Sequence, residues 1–199
     1  VRRGHAAIGL DRGMDSTVTP LHGKKIKILG WSVALSCLGF ALFNLWFEAS
    51  DRFDTGSYAE YATGIAVMNW LVIAVKLAGA AVALLASASR PRLLRPFLTS
   101  SLVWGAFATL GVYAAGSMAQ AVVLAVTDAQ RIEVSGIAYV LCFALGASAF
   151  GTLAISHSRR FHTGRAPIVI GVIGAPLLLG LLLVAVPQTL AALGIMPSI

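Results

Sequence analysis

The stretch TGIAVMNWLVIAVKLAGAAVALLAS, residues 63–87, decides the fold. It carries one ionisable side chain, Lys76, in an apolar run long enough to cross a hydrocarbon core of about 30 Å as a helix. In hydrocarbon every backbone N–H and C=O must be paired within the protein, and a helix does this inside a single segment. Four more runs of the same kind lie at about residues 26–47, 97–126, 135–157 and 167–187. The expected fold is all-α: a polytopic membrane helix bundle with five transmembrane helices. It forms a single domain over residues 26–199, behind a basic, disordered tail at residues 1–25.

Composition agrees. Of the 199 residues, 58% are hydrophobic and 12% charged, with mean hydropathy +0.84. Soluble domains carry about 25% charged residues, so the chain belongs on the membrane side. Orientation follows from the links. Lysine and arginine gather in the N-terminal tail and in the links at 88–96 and 158–165. The alternate loops hold Glu48, Asp51, Asp54, Glu60, Asp128 and Glu133, with only Arg52 and Arg131. Under the positive-inside rule, the N-terminus is cytoplasmic and the C-terminus outside. The expected location is the bacterial cytoplasmic (inner) membrane, multi-pass. The net charge of +7 is then an orientation signal with some attraction to anionic headgroups, and no nucleic-acid partner is implied.

The first span is too long for the apolar core of a cleavable signal peptide, about 7–15 residues, and Glu48-Ala49-Ser50 makes a poor cleavage site. It reads as an anchor. Val1 is what literal translation of a GTG start codon gives, with Met14 as the alternative start. Cys37 and Cys142 sit in apolar runs without metal-ligand or CxxC spacing, and read as small buried hydrophobes. No cofactor is implied.

Counting 1.5 Å per residue from each midpoint puts Lys76 near the midplane with Tyr113. Asn44, Asn69 and Gln120 fall about 10–12 Å outward. These five residues form an expected polar layer in the outer half, and are the candidates for ligand binding or proton relay. Asn69 and Lys76 share a helix face with Ala80, Ala83 and Ser87, the polar-and-small stripe that packs inward in membrane bundles. Leu71, Val75, Val82 and Leu85 are then left for lipid. An ammonium at a helix centre costs about 2.5–3.5 kcal/mol by insertion scales, and no acidic residue is expected at that depth. Lys76 is therefore either functional, or capped by carbonyls and the Tyr113 hydroxyl, or directed at a partner's carboxylate.

Glu48, Asp51 and Asp54, spaced three apart, are weak candidates for holding a divalent cation if the helix continues through them; a solvated loop is the simpler expectation. His157 and His162 flank Arg159 and Arg160, where headgroup contact is expected before metal binding. Gly171, Gly174, Gly180 and Pro176 are expected to kink or interrupt the fifth span. Ala147 and Gly151 are a small-xxx-small pair suited to close helix contact.

From Trp70 to Arg160 the chain resembles an actinobacterial family of small helical membrane proteins, a domain of unknown function. The shared features are Trp70 before Lys76, the link Pro91-Arg92-Leu93-Leu94-Arg95, then Trp104, Tyr113 and a fourth span ending in a His/Arg cluster. The family's first helix ends in an aromatic motif with histidine and paired glycines; here it reads Phe43-Asn44-Leu45-Trp46-Phe47-Glu48. The resemblance implies a fold and no activity.

Three functions are open to such a chain. One is a non-catalytic accessory or assembly subunit of a membrane complex, with a membrane-protein partner or its own copies around it in the bilayer. Another is a small-solute or proton-coupled permease using Lys76 and the outer polar layer. The third is a lipid-modifying enzyme at the outer face, using Glu48, Asp51 and Asp54.

Overall fold

The computed structural model describes residues 20–50, 61–88, 94–127 and 134–194. Their elements are five helices: α1 (Pro20–Ala49), α2 (Ala62–Ser87), α3 (Pro96–Thr127), α4 (Val134–Phe161) and α5 (Ala166–Ala192). Each is long and apolar enough to cross a membrane. Several run beyond their apolar cores. Residues 20–25, placed in the tail from sequence, begin α1; α4 continues through the basic Arg159 and Arg160; and α5 passes through Pro187 to Ala192. A helix does not stop where hydropathy does, because its hydrogen-bond ladder runs on into the interface until something interrupts it. Prolines at the first turns of α3 and α5 cost nothing there, since those N–H groups have no partner in a helix.

The near end of the bundle is where α1 begins and where α2 hands over to α3 and α4 to α5. Here four helices meet in the core: Val33 and Ala34 of α1, Ala80, Ala83 and Ala86 of α2, Val103 of α3, and Phe150, Leu153 and Ala154 of α4. Alanine dominates because small side chains let apolar helices approach closely. Gly30 of α1 faces Ser87 and the Ala83 carbonyl with no room for a Cβ between them. Lys24, Lys25, Lys27, Arg159, Arg160 and Arg165 all lie at this end, whereas Glu48 lies at the far one.

The far half is looser. The α1–α2 hairpin separates from α4, leaving a cleft of about 580 Å³ lined by Ser36, Phe40, Phe43, Ala138, Tyr139 and Cys142. Helix α5 packs on α3 alone among its extensive contacts. That contact rests on Gly171, whose α-carbon sits against the backbone of Ser101 and Gly105.

The inward side of the expected α2 stripe holds: Ala80, Ala83 and Ser87 are buried. Of the four residues left for lipid, Val75 is exposed, Leu71 and Leu85 are half-buried and Val82 is buried. α2 is covered on two sides at the near end, by α1 and by α3 with α4, so a single lipid-facing stripe does not extend that far. Ala147 is buried and Gly151 lies under the Phe107 ring, so this small-residue pair is used within the chain, between α4 and α3. α5 is one continuous helix despite Pro176 and the glycines; Gly171 serves packing, and a Cβ at Gly174 would meet open space.

Candidate functional site

Phe40, Asn44 and Glu48 recur every four residues along α1 and so lie on one stripe. Asn69 and Lys76, seven apart, face them from α2. Lys76 Nζ donates to Asn44 Oδ1 at 3.1 Å and to the Phe40 carbonyl at 3.4 Å. It also stands 5.4 Å from the centre of the Phe40 ring. Asn69 Nδ2 donates to the Asn44 carbonyl at 3.1 Å and to Glu48 Oε2 at 2.9 Å. A continuous polar seam thus runs from Lys76 through Asn44 and Asn69 to Glu48.

Helix register explains the direction of the lysine. Gly79 packs by Cys37 and Asn69 by Asn44, which sets Lys76 level with Phe40. Its ammonium reaches about one turn, 5.4 Å, towards the far end to find Asn44. The long stem lies along apolar surface while the charged head seeks polar groups. Interhelical hydrogen bonds of this sort average about 0.6 kcal/mol and reach about 1.7. A cation above an aromatic ring adds about 0.5–2 kcal/mol. Together these are of the same order as the roughly 2.5–3.5 kcal/mol that a lysine at the centre of a membrane span would cost.

The five polar candidates therefore divide. Asn44, Asn69 and Lys76 come together on α1–α2. Tyr113 and Gln120 lie on α3, where they line a separate cleft against α5. Tyr113 packs its ring on Phe143 at 4.6 Å and does not cap Lys76; Asn44 and the Phe40 carbonyl do. Depth along each helix was readable from residue counts, but the azimuth of α3 relative to α2 was not.

Glu48 is not part of a solvated loop. It occupies the last turn of α1 and accepts from Asn69. Asp51 and Asp54 lie outside the described residues. Among the described residues no group of three or more His, Cys, Asp or Glu side chains is placed to hold a metal ion. Cys37 and Cys142 are free thiols, and Cys142 is exposed on α4 rather than buried.

A second polar cluster ties the near end together. Ser100 Oγ, wholly buried, lies 2.8 Å from Ser158 Oγ and 3.0 Å from Thr163 Oγ1. Trp104 Nε1 donates to Ser158 Oγ at 3.0 Å. His157, expected at the headgroups, is 2% exposed. Its Nδ1 lies 3.4 Å from the Ala86 carbonyl and its ring 4.6 Å from that of Phe161. The chain turns back after Phe161 through left-handed His162 (φ 49°) and Gly164 (φ 71°), which brings Thr163 over Ser100. Only glycine adopts such a conformation without steric cost. This cluster had no sequence signal beyond hydroxyls at the ends of two spans.

Ser100→Ala removes the hydroxyl that joins α3 to both α4 and the turn. A net cost of about 1–2 kcal/mol is expected, read as a lower unfolding midpoint in detergent. Ser101→Ala, whose hydroxyl bonds only to the Phe97 carbonyl of its own helix, is expected to leave the midpoint unchanged.

Comparison of the chain with protein-family models, curated proteins and solved structures found no match.

Proposed function

We propose that the chain is a multi-pass protein of the bacterial cytoplasmic membrane, with its N-terminus in the cytoplasm and C-terminus outside, serving as a non-catalytic accessory subunit of a membrane complex. The loop charges support the orientation, since the basic segments share the near end. Lys76 supports the role. An ammonium has three N–H donors, and two are taken by Asn44 and the Phe40 carbonyl. Among the described residues no carboxylate lies within ion-pair distance of it; Glu48 is reached only through two amides. A carboxylate on a neighbouring chain's helix, at the depth of Phe40, would supply both the missing acceptor and the counter-charge.

The permease alternative drew on one polar layer around a common path. Its residues lie on two separate interfaces, so that reading gains no support from their arrangement. Of the carboxylates in the enzyme alternative, Glu48 is engaged by Asn69; Asp51 and Asp54 lie outside the described residues.

The test places a photoreactive benzoylphenylalanine at Val72, one turn from Lys76 and exposed, in the full chain in its host membrane. The expected result is one protein adduct of defined mass that disappears in Lys76→Leu. Absence of a protein adduct, or an adduct indifferent to Lys76→Leu, would refute the reading.

A further inference from the structure

Independently of Lys76, the far half of α3 presents a polar stripe that the chain itself does not satisfy. Thr109, Tyr113, Ser117 and Gln120 follow at intervals of four, four and three, hence on one face. All four line the cleft between α3 and α5, together with Gly116 and Gly180, and its volume is about 380 Å³. Among the described residues none of the four side chains is hydrogen-bonded to another group of the chain. Other exposed hydroxyls, such as Ser148 and Thr152 of α4 and Thr189 of α5, bond back to the carbonyl one turn earlier.

At hydrocarbon depth an unpaired hydroxyl or amide is costly. Four in one cleft point to an occupant. α5 adds a further acceptor. Pro187 has no N–H to give, which frees the carbonyl of Leu183, one of the residues at the cleft wall.

The chemistry of the lining selects the occupant. No charged residue lines the cleft, so an ionic group would enter uncompensated. Three hydroxyls and one amide both donate and accept, and a hydroxyl-bearing group matches such a mixed set. The volume lies within the range of about 300–1,000 Å³ typical of small-molecule sites. The stripe is about 16 Å long, roughly half a hydrocarbon core. The cleft wall includes exposed Val112 and Leu183, a path for an apolar tail. We infer that the α3–α5 cleft binds a lipid with an uncharged, hydroxyl-bearing headgroup, which enters at the outer, Gln120 end and reaches inward along the polar stripe, with its chain lying against the flank.

The experiment is native mass spectrometry of the full chain from nanodiscs. These hold equal amounts of a monoglycosyl diacylglycerol, phosphatidylglycerol and phosphatidylethanolamine. The glycolipid is expected to be retained roughly tenfold over phosphatidylglycerol, a factor worth about 1.4 kcal/mol. Tyr113→Phe with Gln120→Leu is expected to abolish that preference. Both changes remove polar atoms from a lipid-accessible face, and size-exclusion elution with unchanged helical circular dichroism verifies the fold. Equal retention of the three lipids, preference for the anionic one, or a preference surviving the double substitution would overturn the proposal. So would displacement of the lipid by the free sugar at equal concentration, or loss of a dimer in place of a lipid in the double variant.

Discussion

Gly171→Leu is expected to detach α5 from the rest of the bundle. A Cβ at position 171 would stand 2.8 Å from both the Gly105 nitrogen and Trp104 Cβ, and closer still to the Ser101 carbonyl. Two of these three are backbone atoms and cannot rotate away. The helices must separate, and α5 has no other extensive contact to hold it. Overpacking typically costs about 1–3 kcal/mol, occasionally more, and a backbone obstacle puts this case at the upper end. The measurement is the unfolding midpoint in detergent, combined with limited proteolysis at the α4–α5 turn. Gly174→Leu is the control. It lies on the same helix, where a Cβ meets nothing within 4 Å, and should be silent. Equal loss in both variants would mean that α5 is sensitive to bulk anywhere, and the close contact at Gly171 would not explain its docking.

Asn44→Leu is expected to be the most damaging change in the polar seam, by about 1–2 kcal/mol. It removes the closer acceptor of Lys76 and keeps the cation, which is left with the Phe40 carbonyl and ring. The Asn44 backbone carbonyl is kept, so Asn69 retains both acceptors, and the effect isolates the lysine. Lys76→Leu alone should then be neutral or stabilising for the isolated chain, because it deletes the group that needs support. Combining the two should recover most of the loss, giving a coupling energy of about 1–2 kcal/mol between positions 44 and 76. Reversible unfolding followed by tryptophan fluorescence provides all four corners of the cycle. Strictly additive losses would show that Asn44 acts through helix packing and not through Lys76. Loss of the Val72 adduct in a Lys76→Leu chain that is as stable as the parent would separate the lysine's role in assembly from any role in folding.

Five apolar runs were visible because hydrocarbon imposes its own length and composition on each span, whatever the neighbours are. The positions along each helix of Lys76, Asn44, Asn69, Tyr113 and Gln120 were equally legible, since rise per residue is constant. Which of them touch depends on how each helix is rotated about its axis, and a membrane helix apolar all round carries little signal of that rotation. Asn44 and Asn69 met because glycine and alanine set a close α1–α2 register, with Gly30 at Ser87 and Gly79 at Cys37. Tyr113 turned instead to Phe143 and the α5 cleft.

Glu48 shows the same division. Charge after an apolar run marks the exit of a span, and sequence carries that much; that its carboxylate meets the amide of Asn69, 21 positions away, depends on how α2 packs on α1. Likewise, two histidines beside arginines lead to the expectation of an interfacial cluster. Only the packing of α2 against α4 buries His157 while leaving His162 exposed. The sequence by itself determined the number and apolar character of the helices and the least length of each, because those are properties of one segment at a time. Tertiary structure alone decided the partition of the polar residues between a hydrogen-bonded α1–α2 seam and a separate α3–α5 cleft, because that depends on close contacts between segments far apart in the chain.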